Sequence, residues 1–125
     1  MEDRSTVVII DGKEYELLLT TRATKEIAAR YGGLDALGDK LLSGENVSES
    51  LDEVIWLIAE LANQPIMIHN LRNPGNPKPL LTAEEIELLT APADLTEFRE
   101  AIMTAMVRGT RREIESEPGK NPVAG

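Results

Sequence analysis

The feature that most constrains the fold is a long apolar segment in the middle of the chain, residues 48–64, "SESLDEVIWLIAELANQ". Its apolar residues recur at spacings of three and four, which predicts an α-helix with one continuous stripe: Leu51, Val54, Ile55, Ile58, Leu61 and Ala62. Trp56 and Leu57 widen the apolar surface, so we expect a central helix with neighbours on more than one side. Pro65 lacks a backbone N–H, and we expect the helix to bend or break there.

A β-hairpin is predicted over residues 6–19, "TVVIIDGKEYELLL". Asp11-Gly12 is a strong two-residue turn signal, because both residue types tolerate positive φ. Alternation about that turn predicts one face for the core (Thr6, Val8, Ile10, Tyr15, Leu17, Leu19) and an opposite face (Val7, Ile9, Glu14, Glu16). An isolated hairpin is marginal in water, so this one should pack on helices or pair with another strand.

Further helices are predicted on both sides of the central one. Their apolar spacing and end signals place them over 21–31, 34–44, 82–89 and 94–117, with Thr82 and Glu85 in capping-box register. We therefore expect a mainly α fold in which the N-terminal β-hairpin is followed by about five helices.

The predicted domain organisation is a single compact helical domain over residues 1–117, with 118–125 as a disordered tail. Residues 72–79, "RNPGNPKP", are rich in proline and predict a long surface loop. A linker between two domains is the alternative, but neither flank is large enough for a core of its own.

Composition limits the cellular setting. Hydrophobic residues make up 42% of the chain, charged residues 28%, and cysteine is absent. Without cysteine there is no disulfide framework, and no apolar run approaches the ~20 residues of a membrane span. The acidic start "MEDRS" lacks the layout of a signal peptide. The expectation is a soluble cytoplasmic protein with no membrane partner.

The stretch "TKEIAARYGG", residues 24–33, looks like the first helix and turn of a helix-turn-helix. The presumed recognition helix, residues 34–42, carries Asp35 and Asp39 but only Lys40 as a cation. Carboxylates repel phosphates, and the net charge of the chain is −9. A small DNA-binding regulator is therefore kept only as the alternative function, and we expect no nucleic-acid partner.

The sequence shows no catalytic or metal-binding signature. His69 is the only histidine, so a zinc site would have to be completed by carboxylates, and a helix-end histidine is the simpler interpretation. Glu84, Glu85 and Glu87 could do acid–base or metal work, but in the first turn of a helix they more simply favour its dipole. We expect no enzyme activity, no metal and no cofactor.

A candidate partner-binding surface lies on the last predicted helix, where apolar residues cover more than one face: Phe98, Ile102, Met103, Met106 and Val107. Methionine is flexible and polarizable, which suits surfaces that accept varied apolar partners. The alternative interpretation is that these residues form the core, which is the commoner role of such side chains.

Three strings occur here in a characteristic order: "GKEYELLLTTRATKEIAARYGGLDALGDKL", "LDEVIWLIAELANQ" and "LLTAEEIELLTAPADLTEFREAIMTAMVRG". Together they resemble the tail assembly chaperones of long-tailed bacteriophages and prophages of Gram-positive bacteria. The similarity covers roughly residues 10–117. None of the strings is a catalytic signature, so their joint order and length carry the resemblance.

The resemblance implies a non-enzymatic assembly factor in the host bacterial cytoplasm that is absent from the mature virion. Such chaperones bind the tape measure protein and help to recruit tail tube subunits. Many relatives also have a longer form made by ribosomal frameshifting, and Gly119-Lys120-Asn121 is compatible with a slippery codon run. Pairing of the hairpin edge between subunits would give a homo-oligomer, although proteins commonly suppress such pairing.

Overall fold

The computed structural model describes residues 6–33, 37 and 47–120, with side chains for 6–33, 37 and 51–109. Within that part of the chain, two strands and four helices follow one another: β1 (Thr6–Ile10), β2 (Lys13–Leu17), α1 (Thr21–Tyr31), α2 (Val47–Arg72), α3 (Ala83–Leu89) and α4 (Pro92–Lys120). The predicted mainly helical fold with an N-terminal hairpin is confirmed. The count of about five helices is slightly too high for the described residues, and the helix expected over 34–44 lies outside them, apart from the buried Leu37.

The hairpin has the predicted turn and the predicted faces. Asp11 and Gly12 have φ angles of 55° and 76°, the left-handed conformation that a tight two-residue turn requires. The antiparallel register places Val8 opposite Tyr15. Val8, Ile10 and Leu17 are buried, and the outward face is exposed, as alternation predicted.

Helix α1 is joined to α2 through its N-terminal cap. The hydroxyl of Thr20 accepts a hydrogen bond from the Ala23 N–H at 3.1 Å, as an N-cap side chain does. The same hydroxyl donates to Oε1 of Gln64 on α2 at 2.6 Å. Gln64 is a buried polar side chain, so this bond also satisfies a group that would be costly to leave unpaired.

Helix α2 is the central element, as its sequence predicted, and it packs against β2, α1, α3 and α4. Of the two expectations at Pro65, a bend or a break, the break is wrong, because the helix continues to Arg72. Proline cannot donate to the carbonyl four residues earlier, which here belongs to Leu61. That carbonyl instead accepts a hydrogen bond from the Leu18 N–H at 3.1 Å, so the proline leaves no unsatisfied acceptor and the end of the hairpin is tied to α2.

Helices α3 and α4 complete the core. Thr82 and Glu85 form the predicted capping box at the start of α3. Helix α4 extends through Pro118 to Lys120, past the expected end of the domain, and residues 121–125 of the predicted tail lie outside the described residues. One hydrophobic cluster draws side chains from both strands and all four described helices.

Candidate functional site

The five predicted partner-binding residues mostly lie in the core. Phe98, Ile102 and Met106 are buried in the hydrophobic cluster, and Met103 is half-buried against it. Val107 is the exception, at 52% exposed. Helix α4 therefore leaves Val107 and part of Met103 accessible, and the other three side chains are buried.

A more accessible apolar surface lies on the C-terminal half of α2. We call it the α2 patch and define it by four side chains: Met67, Ile68, Leu71 and Leu80. They line an open groove of about 510 Å³, whose remaining walls come from Thr20, Arg22, Gln64 and Asn70. Leu71 is 81% exposed and Leu80 is 46% exposed, so the groove offers apolar area that no other described element covers.

Helical spacing explains why the patch is continuous. Gln64, Ile68 and Leu71 follow one another at intervals of four and three residues, and Met67 lies between them on the same face. Because α2 continues beyond Pro65, the face that is buried at Leu61 becomes exposed further along the helix. Sequence reasoning missed the patch because it ended the helix at the proline, although "IMIHNL" after Pro65 keeps the helical apolar spacing.

The proline-rich segment is fastened to α2 by two asparagines. Asn70 donates to the Lys78 carbonyl at 3.0 Å and accepts from the Lys78 N–H at 2.8 Å. Asn63 makes the same pair of bonds with the backbone of Leu81, at 2.8 and 2.7 Å. The two asparagines are seven residues apart, or about two helical turns, so they hold the extended segment 78–81 along the helix and place Leu80 beside the patch.

His69 has a structural role in the same loop. Its Nε2 lies 3.1 Å from the Asn76 carbonyl oxygen, and Asn73 donates to the His69 carbonyl at 2.9 Å. This arrangement agrees with the interpretation of His69 as a hydrogen-bonded residue at the end of a helix. Among the described residues, no group of three or more histidine and carboxylate side chains is arranged to hold a metal ion.

A second groove, of about 530 Å³, lies on the other side of the fastened segment. Lys13–Glu16 of β2 and Lys78–Leu81 form its walls, and Pro65, Ile66 and His69 also line it. Its lining mixes lysine and glutamate side chains with apolar ones. The α2 patch is the more uniformly apolar of the two grooves, and it is therefore our candidate site for a protein partner.

Arg22 is the charged residue that lines the α2 patch. Its Nη1 lies 3.7 Å from the sulfur of Met67. Arg72 is exposed and follows Leu71 at the end of α2, whereas Lys78 lines the second groove. At the α1 end, burial raises the pKa of the Glu60 carboxyl to about 7, helped by a hydrogen bond to Glu26 and by its charge, whereas Arg22 opposes the rise.

Comparison of the chain with known protein families, curated proteins and solved structures found no match. Within residues 6–33, 37 and 47–120, no helix is long and apolar enough to cross a bilayer.

Proposed function

We propose that this chain is a non-enzymatic tail assembly chaperone that binds the tape measure protein through the α2 patch. The supporting observation is the open apolar groove formed by Met67, Ile68, Leu71 and Leu80. The resemblance of the chain to phage tail assembly chaperones, through its three ordered strings, supplies the identity of the partner.

The groove has the chemistry that such a partner needs. A long helical tape measure protein exposes apolar stripes, and large exposed apolar stripes aggregate unless another protein covers them. Full burial of one leucine side chain stabilises a complex by about 1.5–3 kcal/mol before the costs of association. Leu71 has most of its surface available for this purpose. The net charge of −9 would keep coated complexes apart.

The remaining parts of the proposal follow from the same role. The chaperone acts in the host bacterial cytoplasm, helps to recruit tail tube subunits to the bound tape measure protein, and is absent from the mature virion. A longer frameshifted form extends it near Gly119-Lys120-Asn121. Sequencing the gene tests this last part, because a non-slippery heptamer there, or the lack of an overlapping downstream frame, would exclude the longer form.

Co-purification with a tape measure fragment tests the proposed function. Leu71→Asp places a carboxylate in the groove and should abolish capture, because a charged group cannot be buried against an apolar stripe without a large cost. Leu88→Asp is the matched control, since Leu88 is 74% exposed on α3 and does not line the patch. Both variants should melt at the temperature of the parent chain because both positions are exposed.

Two outcomes would count against the proposal. Equal capture by both variants would show that the α2 patch is not the contact surface. Failure of the parent chain to capture any tape measure fragment, together with tight binding to duplex DNA at about 0.15 M salt, would favour the DNA-binding regulator instead, because weak non-specific phosphate contacts are screened at that salt concentration.

A further inference from the structure

The second groove runs along a backbone edge of β2. Four consecutive residues of the strand, Lys13–Glu16, line it. Successive side chains of a strand point to opposite faces, so a cavity on one face would be lined by alternate residues only. A cavity lined by four residues in succession lies beside the strand and meets its backbone. Because β1 occupies one edge of β2, this groove lies along the other edge.

The register of the hairpin shows which backbone groups point towards the groove. Ile10 and Lys13 flank the two-residue turn and are opposed across it, so they exchange hydrogen bonds. The next opposed residues, Ile9 and Glu14, then form a pair without hydrogen bonds between them. The N–H and C=O groups of Glu14 therefore point away from β1, towards the groove. In the part of the chain that the structure describes, the sheet has only these two strands, and no third strand pairs with Glu14.

The rest of the groove has the form of a slot for an extended chain. Its floor is one face of α2, formed at helical spacing by Ala62, Pro65, Ile66 and His69. Its far wall is the segment 78–81, which Asn70 and Asn63 fasten to α2. The volume of about 530 Å³ is within the range of sites that bind ligands. At about 3.3 Å per residue, the four residues of β2 offer about 13 Å of strand edge.

The charges beside this edge decide which kind of strand fits. The side chain of Glu14 is exposed and lies on the outer face of the hairpin, the same face as Glu16. Opposed residues of paired strands share a face, where opposite charges stabilise the pair and like charges destabilise it. Lys13 lies on the other face, with its Nζ 5.4 Å from the centre of the Tyr15 ring. A residue opposite Glu14 should therefore be basic, and its two neighbours in sequence, which face the floor, should be apolar.

We propose that the second groove binds an extended segment of another protein, which alternates basic with apolar residues and adds a third strand antiparallel to β2. Antiparallel pairing is the more stable of the two directions. In complexes of this kind the backbone hydrogen bonds give affinity and alternate side chains give specificity. The β2 strand of a second copy fits poorly, because it would bring the outward-facing glutamates of both copies together. The inference goes beyond the proposed function, because it concerns a different groove and a different kind of partner segment.

Labelled peptides of about seven residues, which span the edge of β2, test the inference by fluorescence anisotropy. A peptide that alternates valine with lysine should bind at least about fivefold more tightly than one that alternates valine with glutamate. Methylation of the backbone nitrogen of its central lysine removes the donor to the Glu14 carbonyl and should weaken binding about tenfold. Methylation of a neighbouring valine nitrogen, which points away from β2, is the matched control and should weaken binding less.

Variants of the chain separate the local charge from the overall charge. Glu14→Lys should reverse the preference between the lysine and glutamate peptides. Glu100→Lys makes the same charge change at an exposed position of α4 outside the groove and should leave the preference unchanged. Amide hydrogen exchange adds a direct sign of strand pairing, because the Glu14 amide should exchange at least about fivefold more slowly when the lysine peptide is bound. Circular dichroism confirms that each variant is folded.

Three results would overturn the inference. The first is equal binding of the lysine and glutamate peptides, or no binding of either at about 1 mM. The second is binding of the lysine peptide without slower exchange of the Glu14 amide. The third is a Glu14 amide that already exchanges slowly before any peptide is added, since a segment of the chain itself or a second copy would then be paired with β2. Leu71→Asp should leave peptide binding unchanged, because Leu71 does not line this groove, so failure here is distinguishable from failure of the chaperone function.

Discussion

Gly109→Ala separates two opposing effects in helix α4. In a solvated helix, replacing glycine with alanine stabilises by about 1 kcal/mol, because alanine loses less backbone entropy. Here, however, a Cβ atom at position 109 would lie 2.8 Å from both Cβ and Cδ2 of Leu19. Ordinary contacts begin at 3.4 Å, so the new methyl group overlaps its neighbour.

The position of the overlap decides which effect is larger. A rotation of the Leu19 side chain can move its Cδ2 atom. The Cβ atom of Leu19, however, is fixed to the backbone between β2 and α1, so its overlap can be relieved only if α4 or that backbone moves. Overpacking of this kind costs typically about 1–3 kcal/mol. Since this cost exceeds the helical gain for most of its range, we expect a net loss of up to about 2 kcal/mol, which corresponds to a melting temperature lower by up to roughly 8 °C.

Thermal unfolding followed by circular dichroism gives the measurement, and a second background tests the cause. Leu19→Ala removes the Cγ and Cδ2 contacts and by itself should cost about 2–5 kcal/mol. In that background Gly109→Ala should be less destabilising, by at least about 0.5 kcal/mol, because residues in contact couple. A higher melting temperature for Gly109→Ala, or an identical effect in both backgrounds, would refute the reasoning.

Three further predictions concern the capping box of α3, the hydrogen bonds of Asn63 to the Leu81 backbone, and the Glu60 carboxyl. Thr82→Ala removes the capping-box hydroxyl and should lower the unfolding free energy by about 1 kcal/mol in urea titrations. Asn63→Ala removes both hydrogen bonds to the Leu81 backbone and should lower the unfolding free energy by about 1–3 kcal/mol. The Leu81 amide should then exchange faster, and an unchanged exchange rate would contradict the role of Asn63 in holding this segment. The Glu60 pKa of about 7 exceeds its ordinary value of 4.5, so the stability it contributes is complete below about pH 4.5 and is lost as the pH rises through about 7. The melting temperature should therefore fall as the pH rises through about 7, and Glu60→Gln should reduce this fall. An equal fall in the variant would show that other groups cause it.

Local signals predicted the hairpin and the start of α3 correctly. The Asp11-Gly12 turn and the Thr82–Glu85 capping box each depend on residues within three positions of one another, so neighbouring side chains suffice to specify them. The continuation of α2 beyond Pro65 was not predictable in the same way. It depends on the Leu18 N–H reaching the Leu61 carbonyl, a contact between residues that are far apart in the chain.

The candidate site also combines features that the sequence predicts with features that depend on tertiary packing. The sequence identified apolar residues on the last helix but could not decide whether Phe98, Ile102 and Met106 face the core or a partner, because both roles require the same side chains. Packing against the rest of the core buried them. The two asparagines that fix the proline-rich segment were also unrecognised, because a side chain that binds a distant backbone has no characteristic spacing.

The sequence by itself determined the mainly helical class, the two faces of the hairpin, the central position of α2 and the acidic charge, because each follows from residue type and from periods of two or 3.6 residues. The tertiary structure alone decided that α2 extends beyond the hydrophobic core and that Leu80 and Leu71 line the same groove. It alone also decided that Gly109 meets Leu19. The physical reason is that exposure and close approach are properties of elements packed together, and no single segment specifies how far its neighbours extend to cover it.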